Sequence, residues 1–264
     1  MEAPLVSHTL KIDPSSITPD HVRGLSLGQI TEEFGTIGLY ARTVDTLERY
    51  GFTDNELIQL SLQLGLALHA DDYRTNGHYT DHLMRVTLRM IEDFGIRDPN
   101  LIAAGPLHDV FEDHPRDLVL ALTGEKPDNR EEALKIGRTV LASITNEEVV
   151  HIIETVTNPQ VLEGEDKLEV YTDHTRALVL GSPKGRVLKA SDFIDNASGN
   201  HATLGEKQRK LDEKYLRQYR IHKMGLFLPD SIITGKERQT ALHLLSKGHA
   251  RALGRLATES RIPA

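Results

Sequence analysis

The chain contains no cysteine, which excludes disulfides, thiolate metal ligands and a cysteine nucleophile. It carries no excess of positive charge. The formal net charge is −8 and the pI is near 5.9, the opposite of the basic footprint that nucleic-acid binding needs. Apolar runs of membrane-spanning length are also missing. The opening residues, Met1 to Val6, have neither a basic segment nor an apolar core, so no signal peptide is expected. Strand-like alternation, paired hairpin signals, internal repeats and low-complexity tracts do not stand out either. Together these absences point to a cytoplasmic protein that binds neither nucleic acid nor membrane.

What is present suits a soluble globular chain. Of 264 residues, 39% are hydrophobic and 27% charged, enough for one substantial core or two small ones. No obvious linker interrupts the sequence, so one compact domain with extensions is expected. Residues 1–55 would be an N-terminal arm and helix, 56–200 a core, and 201–264 a C-terminal helical extension packed on it. Residues 1–24 read as an irregular arm. Helical spacing then recurs: Ile30, Phe34, Ile37 and Ala41; Leu57, Leu60, Leu64 and Leu68; Leu83, Val86, Met90 and Phe94. Thr145-Asn146-Glu147-Glu148 reads as a capping box. The fold class is all-α, with roughly nine or ten helices at ordinary helix lengths.

The segment Asp98 to Pro115 holds the densest chemistry. Asp98-Pro99 is a helix start and Pro115 a plausible stop. With His108 set at zero on a helical wheel, Glu112 falls at about 40°, Asp109 at about 100° and Asp113 at about 140°. Ala103, Leu107, Val110 and Phe111 occupy the other side. A solvated acidic face fits these residues, and so does a metal-binding or proton-moving face. His82 begins the helix with Leu83, Val86 and Met90, and Asp192 shares a later helical face with Asn196. Taken together, His82, His108, Asp109 and Asp192 form a two-imidazole, two-carboxylate set from three helices. That mix suits octahedral Mn²⁺, Fe²⁺ or Mg²⁺ better than a tetrahedral structural zinc. Such an ion turns water into a nucleophile near neutral pH, and Glu112 and Asp113 lie one turn away for proton transfer.

The wording of these segments resembles the HD-domain metal-dependent phosphohydrolases. It is closer to the alarmone (ppGpp) hydrolase domain of the RelA/SpoT family and its single-domain relatives. Asp81-His82-Leu83-Met84-Arg85-Val86 is similar to that family's histidine at a helix start. Leu107 to Asp113 carries its His-Asp-x-x-Glu-Asp signature. Lys189-Ala190-Ser191-Asp192 with Asn196 resembles its later Lys-x-Ala-Asp segment, Ser191 standing where Ala is usual. Arg74-Thr75-Asn76-Gly77-His78-Tyr79 resembles its Arg-containing loop, one residue shorter, and Glu154 to Asn158 a segment between the two metal regions. The likeness covers about residues 60 to 200. Thr75 replaces the family's Lys, Phe193 its Arg, and Ile194-Asp195 its Leu-His. Nothing after residue 200 resembles the synthetase domain of the long enzymes.

The resemblance implies an HD-domain helical bundle that uses Mn²⁺, with Fe²⁺ or Mg²⁺ as substitutes, to remove the 3′-pyrophosphate of ppGpp-type alarmones in the stringent response. His82, His108, Asp109 and Asp192 would hold the metal. Glu112 and Asp113 would position water and move the proton. Arg74, Lys189 and Asn196 would touch substrate or support the ligands, and Tyr79 would line the pocket or sit at the core edge. Arg74 would stack on a base or grip a phosphate, or be a solvated loop arginine. The partner would be a small nucleotide, and a homo-oligomer stays open. Two rivals remain: an HD phosphohydrolase for another nucleotide or phosphoester, and a non-catalytic nucleotide-binding HD protein.

Overall fold

The structure is a computed structural model that describes residues 17–75, 77–199 and 205–259. Most of the expected irregular arm, residues 1–16, lies outside the described residues, as does Asn76 of the Arg74 loop. The chain divides into two compact units, Met1–Thr53 and Asp54–Ala264.

The first unit holds α1 (Pro19–Val22) and α2 (Leu27–Arg49). Ser26 caps α2 by accepting from the Gln29 amide, and Gln29 closes the capping box. Gly35, at φ 58° and ψ −148°, breaks α2 into two stretches; only glycine takes that backbone without strain. Buried Asp45 accepts from Arg23 Nε at 2.9 Å and pairs with Arg49 at 2.9 Å.

Among its described residues, the regular structure of the second unit is helical apart from one minimal hairpin. Its elements are α3 (Glu56–Leu68), β1 (Tyr73–Arg74), β2 (Gly77–His78), α4 (Tyr79–Glu92), α5 (Pro99–Leu107), α6 (Val110–Asp113) and α7 (Pro115–Thr123). They continue with α8 (Arg130–Ile144), α9 (Glu147–Val156), α10 (Lys167–Gly181), α11 (Pro183–Gly199), α12 (Gly205–Gly225) and α13 (Gly235–Glu259). The fold is all-α, and the described residues form thirteen helices, more than the nine or ten expected, two of them (α1 and α6) single turns. The hairpin pairs Tyr73 with His78 and Arg74 with Gly77. At two residues per strand it is too short to leave an alternating signature in the sequence.

Helix α5 lies at the centre of this unit, packed on α3, α4 and α9, while α11 packs on α4, α9, α10, α12 and α13. Every residue of α4 from Thr80 to Ile91 is buried, including Asp81, His82, Arg85 and Arg89. Charged groups tolerate such burial only when they are paired.

Three local expectations are corrected here. The His108 helix does not run on to Pro115: α5 ends at Leu107, and His108 and Asp109 sit in a break before α6. Pro106 lacks the amide that would bond the Ile102 carbonyl, and past Leu107 the Asp109 carbonyl accepts from the amides of Glu112 and Asp113, both at 2.9 Å, to start a new turn. Angles on one continuous helix therefore do not describe this stretch. Pro115 does not stop a helix but starts α7, where its missing donor costs nothing. The cap of α9 is Asn146, which accepts from the Val149 amide, while the Thr145 hydroxyl donates backward to Leu141 O in α8.

Close approach sets the position of α5. A Cβ on Gly65 of α3 would fall 2.2 Å from the Pro106 carbonyl oxygen, and one on Gly105 would fall 2.7 Å from Met90 Cε and Thr87 Oγ1. Gly65→Ala should thus force α3 off α5 and destabilise the second unit by about 1–3 kcal/mol. Denaturant unfolding should show a lower midpoint at unchanged slope; an unchanged midpoint would mean the two helices are not locked at this contact.

Candidate metal centre and adjoining cavity

Three elements bring His82, His108, Asp109 and Asp192 together: α4, the break after α5, and α11. His108 Nε2 lies 3.0 Å from Asp109 Oδ2 and 3.8 Å from Asp192 Oδ1. His82 Nε2 lies 3.4 Å from Asp192 Oδ1 and 3.7 Å from Asp109 Oδ2. Both imidazoles are fixed from behind. His108 Nδ1 is 2.7 Å from the Gly105 carbonyl oxygen, and His82 Nδ1 is 2.8 Å from Asp195 Oδ2. Each Nδ1 is thereby set to keep its proton, so that Nε2 is the atom that would turn a lone pair to a cation in place of a second proton. Both Nε2 atoms are buried with no hydrogen-bond partner.

That combination fits a divalent cation. Two orphaned imidazole nitrogens and two carboxylate oxygens face one another at 3.0–3.8 Å. Donors at about 2.1 Å from a first-row ion in octahedral array stand about 3 Å apart. Charge tells the same story. Burial disfavours the His108 imidazolium, yet the adjacent Asp109 carboxylate outweighs it and pushes the imidazole up to about 10. Burial likewise opposes ionisation of Asp109 and Asp192, but His108 and Lys189 respectively hold their carboxyls well below the usual carboxylate range. The pocket holds two carboxylates that demand positive charge, and a divalent ion answers that demand.

Asp195 is the carboxylate behind the centre. It receives His82 Nδ1, Arg85 Nε at 2.9 Å, Arg85 Nη2 at 3.0 Å and Arg89 Nη2 at 3.0 Å. Arg89 also donates to the Ser191 carbonyl at 3.0 Å, and Ser191 Oγ to Val86 O at 2.8 Å. These bonds lock α11 to α4 and so bring Asp192 to His82.

The other sequence-predicted residues line a cavity of about 160 Å³ beside the centre, with Asp109 and Asp192 in its wall. Tyr79 OH donates to Asp109 Oδ2 at 2.6 Å. Burial and the Asp109 charge hold the phenol above its ordinary range, so it remains a donor. Arg74 lies 4.2 Å over the Tyr79 ring and donates from Nη1 to Asn196 Oδ1 at 2.6 Å. Asn196 Nδ2 in turn donates to Asp192 Oδ1. Lys189 Nζ reaches Asp192 Oδ2 at 3.3 Å and Val156 O at 3.2 Å. Arg74 is therefore no solvated loop arginine, and Tyr79 faces the cavity.

Glu112 and Asp113 line the same cavity but differ in setting. The Glu112 carboxylate accepts from the Asn158 amide at 2.6 Å and from Asn158 Nδ2 at 3.0 Å. Asp113 stands at the lip, where desolvation and the Asp109 carboxylate raise its carboxyl above the ordinary range.

Sequence reasoning missed several neighbours. Asp195 appeared as a neighbour of the Asp192 face in a polar stripe and as a departure from the family pattern, without a role. His69 stacks on Tyr79 at 4.6 Å, and Asp72 Oδ2 bridges His69 Nδ1 at 2.7 Å and His114 Nε2 at 2.6 Å. This cluster braces the phenol that touches Asp109. Lys214, Tyr215, Gln218 and His222 of α12 also line the cavity; the four-residue spacing of Lys214, Gln218 and His222 was their only signal.

Among solved structures, the chain is similar to one described as a metazoan ortholog of SpoT that hydrolyzes ppGpp and plays a role in starvation responses. The match has a TM-score of 0.52 and 14% sequence identity, and covers 72% of this chain and 94% of that one. At that identity the likeness establishes a shared fold. No protein-family model and no curated protein matches the chain.

Asp195→Ala would remove the carboxylate to which the buried Arg85 and Arg89 guanidiniums both donate and would free the His82 ring. Stability should fall by about 3–5 kcal/mol and metal affinity by about 10–100-fold. Burial opposes ionisation of Asp195, but Arg85 and His82 hold it well below the usual range. Its stabilising contribution is thus complete above about pH 4, the unfolded value, and fades only as pH falls through the lower folded value. The variant should show a flatter acid limb in stability against pH. Chelator competition and unfolding across pH measure both effects; wild-type values in each would remove Asp195 from the support of His82.

Proposed function

We propose that the protein is a metal-dependent phosphohydrolase that removes the 3′-pyrophosphate of ppGpp-type alarmones, with Mn²⁺ as the preferred ion. The observation that carries this reading is the convergence of two partnerless Nε2 atoms on two carboxylates, at the wall of a cavity with cationic side chains. The shared fold supports it, because the similar structure is described as hydrolyzing ppGpp. His82, His108, Asp109 and Asp192 hold the metal. The setting is a soluble cytoplasmic enzyme of the stringent response; no helix among the described residues is long and apolar enough to cross a membrane.

When bound, a divalent ion supplies Lewis-acid polarisation of a phosphoryl oxygen and a water activated near neutral pH. The chain's own residues do the rest. Tyr79 donates to Asp109 Oδ2 and keeps that carboxylate turned toward the two imidazoles. Asn196 and Lys189 hold the two oxygens of Asp192 in the same way. Glu112, pinned by Asn158, presents a carboxylate of fixed direction to the cavity and acts as the acceptor that orients the attacking water. Asp113 holds a proton more readily than an ordinary carboxyl and delivers it at the leaving oxygen. Arg74, over the Tyr79 ring and tied to Asn196 in the cavity wall, is the group that meets a base or a phosphate.

Three measurements follow. His108→Ala and Asp109→Ala should lose the ion by elemental analysis, together with all phosphohydrolase activity. Glu112→Gln should keep the ion and lower kcat by about 10²-fold or more; full turnover would remove Glu112 from the mechanism. The substrate reading is tested by giving metal-loaded protein ppGpp, GTP and simple phosphoesters in parallel. Pyrophosphate released from ppGpp alone supports it, whereas turnover of the others with ppGpp untouched assigns the site to a different phosphoester.

A further inference from the structure

Helix α12 contributes a wall to the cavity that the reaction outlined above does not use. Lys214, Gln218 and His222 stand one turn apart on that helix and all three line the cavity. His222 is 1% exposed, its ring lies 4.3 Å from that of Phe193, and neither Nδ1 nor Nε2 has a hydrogen-bond partner. An imidazole buried with both nitrogens unsatisfied costs free energy unless a ligand or water completes it. Burial, reinforced by Lys189, pushes this imidazole down to about 3, so it is a neutral ring with one donor and one acceptor to offer.

Lys214 stands apart from the other cations of the cavity. Arg74 is tied to Asn196, and Lys189 to Asp192 and the Val156 carbonyl. Among the described residues, Lys214 has no carboxylate partner; its Nζ lies 5.5 Å from the centre of the Tyr171 ring. Burial and Lys189 lower its ammonium below the ordinary range, against the opposite pull of Asp192 and Glu112 across the cavity. The lining as a whole sets four carboxylates, Asp109, Glu112, Asp113 and Asp192, against Arg74, Lys189 and Lys214. A divalent ion at the imidazoles reverses the sign of that balance and makes the cavity attractive to a polyanion.

We propose that the α12 wall is an anion subsite, in which Lys214 binds phosphate oxygens of the substrate and His222 hydrogen-bonds to the same group. The proposal rests on the phosphohydrolase reading of the neighbouring metal centre, and it extends recognition beyond the hairpin and α11. The ligand class is a pyrophosphoryl group. Lys214 meets it as a point charge, and the neutral His222 ring donates one hydrogen bond to it.

Inorganic pyrophosphate is the probe, titrated calorimetrically into full-length, metal-loaded protein. Lys214→Met keeps the apolar stem against Tyr171 and removes the charge; it should weaken pyrophosphate binding by about 10-fold or more. Lys214→Arg should recover part of the loss. His222→Phe keeps a ring against Phe193 without donors and should weaken binding several-fold. Lys207→Ala, exposed on the same helix, should bind as wild type. Metal content and melting temperature are read on each variant, and Lys214→Gln, which also removes the charge, stands in if the Met variant does not fold. Wild-type affinity in both Lys214→Met and His222→Phe, with metal bound, overturns the subsite, as does a wild-type protein that does not bind pyrophosphate. Pyrophosphate binding that depends on Lys214, without turnover of ppGpp, leaves the subsite standing and overturns the substrate reading alone.

Discussion

Two imidazole nitrogens, His82 Nε2 and His108 Nε2, are buried without hydrogen-bond partners, and the architecture of the second unit is arranged around keeping them so. An unsatisfied buried nitrogen costs about 1–3 kcal/mol, a loss that a fold does not maintain twice without return. Rotation of either ring would relieve it, but the opposite nitrogens are held by Gly105 O and by Asp195. The Gly105 anchor requires α5 to end at Leu107, and the Asp195 anchor requires α11 to lie against α4. The helix break after Leu107 and the glycines that let α3 and α4 close on α5 are thus parts of one constraint.

The ionic layer behind the centre serves the same end. Asp195, Arg85 and Arg89 form a buried cluster with nearly every polar atom matched. Such clusters seldom add stability over a well-packed apolar core. Their value lies in direction, because a guanidinium fork bound to a carboxylate fixes two helices in angle and register. Tyr79 is contacted by the His69 ring and the Arg74 guanidinium and delivers its hydroxyl to Asp109. The inner carboxylates therefore meet the imidazoles from fixed directions, as a preorganised metal site demands.

Much of this was legible in the sequence. Helical periodicity revealed an all-α chain because the core stripes on α3 and α4 follow the 3.6-residue repeat. The grouping of His82, His108, Asp109 and Asp192 was readable because their segments resemble, in the same order, the metal-binding segments of the RelA/SpoT-type hydrolase domain; the His-Asp pair alone carries no such signal. The break at His108 was not readable in detail: Pro106 signalled a disturbance, but a helical wheel cannot show where the ladder stops. Asp195 was overlooked because an acid one turn after Ser191 looks like a solvated stripe until Arg85 and Arg89, over a hundred positions earlier, are seen to meet it. The α12 residues were missed for the same reason. Lys214 and His222 sit on a helix whose charged sequence reads as a solvent face, and only tertiary packing turns one side of it into a cavity wall.

The central claim is that the four donors hold one divalent ion. Anomalous X-ray diffraction from crystals grown with Mn²⁺, recorded on both sides of the manganese edge, tests it directly. The account predicts one strong anomalous peak bounded by His82 Nε2, His108 Nε2, Asp109 and Asp192. An empty map at that position, or a peak only at the His69, Asp72 and His114 cluster, whose donor atoms also lie within 4.8 Å of one another, would contradict it.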